Sequence, residues 1–228
     1  MYFLKISSLV LALAALSSMP AQASTCHGTT SNGRIDGAVA LPAEGGNFAP
    51  YTTLGVTLGR TWVHAKVRDI VVASYASLAR DVPGLTFIYG ETGLKHGGPM
   101  PPHRTHESGT SVDFMVPVRT KDGKPAILPG SLANRFGYDL EFDSAGRLDD
   151  LEIDFAAIAA HLHALDREAR RHGAGIARVI FDPALSRHLF AARGGEQVKA
   201  LPFMKTRPWI RHDEHYHVDF AIRCEPRK

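Results

Sequence analysis

The sequence predicts an α+β fold: a single domain with a small, mainly antiparallel sheet flanked by helices, and a metal site on the sheet. Three observations point there. Helix-like and strand-like segments are mixed without the regular strand–helix alternation of a parallel sheet. No linker of domain-boundary character interrupts residues 51–224. The chain carries twelve histidines in 228 residues, and two groups of them stand beside carboxylates.

Composition narrows the function classes. At 44% hydrophobic and 21% charged, the chain can bury a core and is neither disordered, collagenous nor a coiled coil. A formal charge of +3, from 26 basic and 23 acidic residues, is too small an excess to imply nucleic-acid or membrane-surface binding. Two cysteines exclude a disulfide-dense scaffold and a cysteine-built zinc ribbon.

The elements follow in order. Residues 1–23 carry one charge, Lys5, then an apolar run that ends in Pro20-Ala21-Gln22-Ala23. That pattern predicts a secretory signal peptide cleaved after Ala23, leaving residues 24–228 as the mature domain. The run is about 14 residues, short of the ~20 that a spanning helix needs, so no stable membrane insertion is expected. Export places Cys26 and Cys224 in an oxidising compartment, where they are expected to form one disulfide tying both ends to one body. Residues 27–60 read as turns and short strands. Residues 66–82 put Ile70, Val71, Leu78 and Val82 near one helical face and stop at Pro83-Gly84. Residues 85–90 read as a strand, 94–110 as a Gly/Pro/His loop, and 111–118 as a second strand. The clearest helix spans 153–172 and is closed by Gly173; a strand at 176–181, a short helix near 184–192 and a last strand at 215–222 complete the order.

Chemistry concentrates at two places. In the first, His106 lies on the loop, Gly109 lets the chain turn without a Cβ clash, and Asp113 lies on the following strand, on the face opposite Val112, Phe114 and Val116. In the second, residues 215–222 alternate sharply: Tyr216, Val218, Phe220 and Ile222 form one face, and His215, His217 and Asp219 the other. Two histidines and one carboxylate with an open position make a catalytic zinc arrangement, so His106, Asp113 and His217 are the candidate ligands. Such an ion lowers the pKa of bound water to around 7, and Glu214 or His215 is the candidate acid–base group. Alternation favours His215, because Glu214 begins on the opposite face unless the chain kinks. His161, His163, His172 and His188 fall on predicted helices and are expected to be surface or cap residues. Arg119, Lys121 and Lys124 are expected in a solvated loop.

With those residues in view, His106-x2-Gly109-x3-Asp113 and the late His215-Tyr216-His217 resemble the metallopeptidase group that joins lysostaphin-type enzymes, D-Ala-D-Ala peptidases and the hedgehog domain. Within that group the chain looks most like the penicillin-insensitive murein endopeptidases. His103 precedes the first ligand as His-x-x-His, and His212 precedes the last pair as His-x2-His-x-His; Gly37–Pro42 and Arg60–His64 are similar to the family's N-terminal region. The resemblance covers most of residues 35–222. It implies zinc-dependent cleavage of peptide crosslinks in bacterial peptidoglycan, in the periplasm. By it, His106, Asp113 and His217 bind zinc, His215 sits beside the water, and His103 and His212 shape the site or hold a second ion. The family's Asp and His for that second ion find no match: Asp143, Asp149, Asp150 and Asp154 lack a companion histidine at a suitable spacing. Glu214 also occupies the place of the base in the Glu-x-x-His of D-Ala-D-Ala peptidases. The same ligand set suits a D,D- or L,D-carboxypeptidase acting on stem peptides, or a non-catalytic module that binds zinc or cell wall.

Overall fold

A computed structural model describes residues 23–227 of the protein. Except for Ala23, the expected signal peptide lies outside the described residues. The centre is a five-stranded sheet in the order Ile176–Ile180, His215–Phe220, Ser111–Met115, Phe87–Tyr89, Phe48–Pro50. Every pairing in it is antiparallel except the last, between Phe48–Pro50 and Phe87–Tyr89. A four-stranded sheet (Arg147–Leu148, Leu151–Ile153, Val118–Thr120, Pro125–Ala126), a hairpin (Thr25–Thr29, Asn32–Asp36) and a two-stranded pair (Val39–Ala40, Trp62–Val63) complete the β structure among the described residues. The fold is the α+β arrangement expected, with small antiparallel sheets and flanking helices.

Two helices of 17 residues cover one face of the central sheet. Ala65–Asp81 begins where the His64 Nδ1 accepts a hydrogen bond from the Lys66 backbone, and it buries Val67, Ile70, Val71, Tyr75 and Leu78. It gives way to Pro83 and to Gly84 at φ 79°, a turn for which glycine suits best. Phe155–Arg171 begins where the Asp154 carboxylate accepts from Ala157 N at 3.0 Å, a cap contributing about 1 kcal/mol. That cap explains why Ile153, read as the start of the helix from the sequence, instead ends the strand Leu151–Ile153, which pairs on both sides. The helix buries Ile158, Leu162 and Leu165, each contributing roughly 2 kcal/mol by leaving water. Tyr75 stacks on Phe48 at 4.6 Å between ring centres and meets Phe114 edge-on, so helix and sheet share one aromatic layer.

The expected strand at 111–118 is two strands. Ser111–Met115 belongs to the central sheet and Val118–Thr120 to the smaller one, because Pro117 between them has no N–H to give a ladder. Arg119 and Lys121 pair with Asp154 and Asp150 across that smaller sheet.

The helical histidines divide. His163 is exposed and His172 is the C-cap of its helix, as expected. His188 stacks on Phe155 at 5.4 Å. His161 corrects the expectation: it is 0% exposed, in the aromatic layer between Tyr75, Phe87 and Phe114, with Nδ1 2.5 Å from the Tyr216 hydroxyl. Its position on the helix, three and four residues from Ile158 and Leu165, puts it on the buried stripe. The expected disulfide is present: Cys26 and Cys224 are joined with their Cα atoms 4.7 Å apart.

Candidate metal centre

The site is built by register. The strands 111–115 and 215–220 pair with Asp113 opposite His217 and Ser111 opposite Asp219, so all four side chains share the face away from the aromatic layer. The loop 94–110 then brings His103 and His106 onto that face. Gly109, at φ 69°, lets its carbonyl accept from His64 N at 2.7 Å; a Cβ there would lie 2.7 Å from Ile35 Cδ1. His106 itself has φ 72°, a left-handed backbone that costs on the order of 1 kcal/mol in a non-glycine residue and is characteristic of functional positions.

The donors converge on Asp113, which is 0% exposed. His106 Nδ1 donates to the Thr92 carbonyl at 3.0 Å, which fixes the tautomer and leaves Nε2 as a lone pair 3.2 Å from Asp113 Oδ1. That Nε2 is buried without a hydrogen-bond partner, the condition of a donor atom meant for a cation. His217 Nδ1 lies 2.8 Å from the same Asp113 oxygen. His103 comes within 3.6 Å of Asp113 Oδ2 through Nδ1, while its Nε2 meets Glu91. The ligand atoms of His103, His106 and Asp113 all lie within 4.8 Å of one another, a group able to hold a metal ion.

A second layer of contacts fixes these groups. Asp219 accepts from Ser111 Oγ at 2.6 Å, faces His217 Nε2 at 2.8 Å, and accepts from Arg178 Nε at 2.7 Å. Burial would lower the His217 pKa, but Asp219 and Asp113 override it and hold the imidazole up at about 9. On the other side, Tyr138 donates to Asp113 Oδ2 at 3.1 Å and accepts from Glu91 N at 2.7 Å. Gly90 makes room for that hydroxyl: a Cβ there would lie 2.3 Å from it. Glu91 is pinned by Arg60 and His103, which overcome burial and hold its carboxyl down at about 2.

The acid–base candidates are joined to each other. His215 Nδ1 lies 2.8 Å from Glu214 Oε1, and Glu214 Oε2 accepts from Asp213 N at 3.1 Å. Burial pushes Glu214 up to about 8 and His215 down to about 4, so both favour their uncharged forms. His215 Nε2 is thereby turned toward Asp113 Oδ2, 3.8 Å away. His212 packs its ring 4.6 Å from that of His215 and donates Nδ1–H to Ile210 O at 2.7 Å. His103, His212, Glu214, His215 and His217, with Tyr138 and Trp209, line one cleft.

Sequence reasoning missed Glu91, Tyr138 and the carboxylate of Asp219 as parts of the site. Asp219 was within reach, since it shares the His215/His217 face. Asp143, Asp149, Asp150 and Asp154 stand elsewhere: Asp143 ties its own turn to Arg147, Asp149 sits at a positive φ, Asp150 pairs with Lys121, and Asp154 caps a helix.

Fold and site together define an α+β domain equipped to hold a metal ion between sheet and loop. Over residues 26–228 the chain matches the model of the penicillin-insensitive murein endopeptidase family, and it belongs to that family. The family consists of peptidases acting on murein, so peptidoglycan is the substrate it implies. Among the curated proteins, no match to the chain is found.

Proposed function

We propose that the protein is a zinc-dependent endopeptidase that hydrolyses peptide crosslinks of peptidoglycan in the periplasm, exported by residues 1–23 and acting as the domain 24–228. The observation that carries this reading is the meeting of His106 Nε2 and His217 Nδ1 on one oxygen of Asp113, at 3.2 and 2.8 Å. Two imidazoles and a carboxylate are the donor set of catalytic zinc. In this reading those three are the ligands. His103, already engaged by Glu91, shapes the site from the Asp113 Oδ2 side, and Asp219 holds His217 with its Nδ1 toward the ion.

Zinc held there supplies a Lewis acid that polarises the scissile carbonyl and acidifies water. The protein's own groups do the rest. His215 Nε2 accepts a proton from the attacking water and returns it to the leaving amine nitrogen. Glu214 fixes the ring through its contact with Nδ1. That arrangement favours His215 over Glu214 as the base, because both Glu214 oxygens are already engaged. His212, lowered to about 3 by burial, stays uncharged beside it and adds no repulsion when His215 is protonated.

Cavities adjoining the cleft leave room for a substrate that extends beyond the site, as an endopeptidase needs. One of about 300 Å³ shares Pro102, Arg135 and Tyr138 with the cleft. One of about 690 Å³ is walled by Arg211 and Pro208, next in sequence to the cleft residues His212 and Trp209. The test is digestion of purified crosslinked muropeptide dimers, with and without a chelator, read by mass spectrometry. Chelator-sensitive conversion to monomers is expected. Loss of a terminal residue from intact dimers would make the protein a carboxypeptidase, and no conversion with zinc bound would make it a binding module.

A further inference from the structure

We infer that the 690 Å³ cavity beside the cleft is an anion subsite, which takes a free carboxylate of the peptide substrate through Lys205 and Arg207. The inference rests on the peptidoglycan-peptidase reading and adds to it the charge of the substrate on one side of the scissile bond.

One stretch of chain walls both spaces. Trp209, Ile210 and His212 line the cleft, while Lys205, Arg207, Pro208 and Arg211 line the cavity. The partition is held rigidly from below. Arg211 reaches Asp182 Oδ2 at 2.7 Å, Glu141 Oε2 at 2.7 Å and Asp213 Oδ2 at 3.2 Å, and Asp182 N donates to the His212 carbonyl at 2.8 Å. A ligand group seated in the cavity is therefore held in fixed relation to His212 and, through its ring, to His215.

The charge count gives the ligand its sign. The lining holds three cations, Lys205, Arg207 and Arg211, and two carboxylates, Glu141 and Asp182. Both carboxylates are engaged by Arg211, and Asp182 also caps the helix Pro183–Ala191 through Ala184 N. Lys205 and Arg207 have no ion pair and no side-chain hydrogen bond among the described residues. Both are exposed and open to a ligand. A carboxylate meeting both gains charge-assisted hydrogen bonds, bidentate from the guanidinium. The cavity that shares Pro102, Arg135 and Tyr138 with the cleft is unlike it: Leu54, Leu58 and Leu132 line it and are 41%, 62% and 75% exposed, and its charged residues Arg60, Glu91 and Arg135 are each ion-paired. The unpaired cations Lys205 and Arg207 thus give this cavity, and not the other, the character of an anion site.

The test is steady-state kinetics with two crosslinked muropeptide dimers, one with free stem-peptide carboxylates and one with those groups amidated. The proteins are the metal-loaded wild type and Lys205→Gln/Arg207→Gln. With the free-acid dimer, the double variant is expected to raise KM roughly tenfold with kcat within about twofold, because the contact is made equally in ground and transition states. With the amidated dimer, wild type is expected to show the raised KM already and the variant to add nothing. An unchanged KM for the free acid, or an equal rise on both substrates, overturns the subsite while leaving the peptidase reading intact. A metal-loaded wild type that cleaves neither dimer overturns that reading and the subsite with it.

Discussion

His161 and His217 meet the same strand from opposite faces, and both are shut away from water at 0% and 2% exposure. Their surroundings drive them apart. His161 sits among Tyr75, Phe87 and Phe114, its partners a tyrosine hydroxyl and, at 3.5 Å, a serine; burial alone pulls it down to about 3. His217 stands between Asp113 and Asp219 and is held up at about 9. Equal burial with different partners keeps one histidine a neutral packing piece and favours the protonated form of the other. Desolvation sets the size of what is at stake, and the neighbouring charges set its sign.

The comparison can be broken most severely at His217. His217→Ala is expected to bring bound zinc, read by elemental analysis, and muropeptide turnover to background; full activity would remove the metal-ligand role. One residue earlier in the alternation, His215→Ala is expected to keep zinc but lose at least about a hundredfold in kcat, the scale of a lost acid–base group. Loss of the metal with it would mean that His215 is a ligand. Asp219→Asn keeps the shape and removes the charge behind His217. Zinc affinity, measured by competition with a chelating dye, is expected to fall 10- to 100-fold, as for other residues that orient a ligand. An unchanged affinity would make the Ser111–Asp219–Arg178 contacts purely structural.

The smallest expected effect sharpens the other half. His161 is depressed in the folded state, so between about 3 and 6.5 the unfolded chain binds a proton that the folded one refuses. Its contribution is fully present above pH 6.5 and is lost as pH falls toward 3, by about 1.4 kcal/mol per unit. His161→Leu/Tyr216→Phe removes both partners of the buried hydrogen bond. The stability difference between wild type and variant, from urea unfolding, should therefore shift against wild type by on the order of 2–3 kcal/mol between pH 7 and pH 5 or below. A difference independent of pH would mean that His161 takes its proton inside the fold.

What was legible in the sequence follows the same division. The period of two at 215–222 exposed the His215/His217/Asp219 face, because side chains of a strand alternate whatever the strand pairs with. The His106–Gly109–Asp113 spacing likewise carries its geometry locally. Glu91 and Tyr138 were invisible because they reach Asp113 only through strand pairing and a loop folded over from residue 138, contacts that no local period encodes. His161 was misread for a related reason. A polar residue on an otherwise apolar helical stripe reads as surface until its partner, Tyr216, 55 residues on, is brought beneath it. The kink at Pro117 and the cap at Asp154 were readable in principle, since each is a single-residue stop signal.

The bond between Cys26 and Cys224 has a mechanical consequence. It joins positions 198 apart in sequence, and Gly28 and Glu225 are hydrogen-bonded beside it. Tension applied to the chain outside Cys26 and Cys224 passes through the sulfur–sulfur link, bypassing the sheet that carries the site. The segment from Cys26 to Cys224 is in effect a covalent ring, so force borne outside it leaves the His106–Asp113–His217 geometry unloaded.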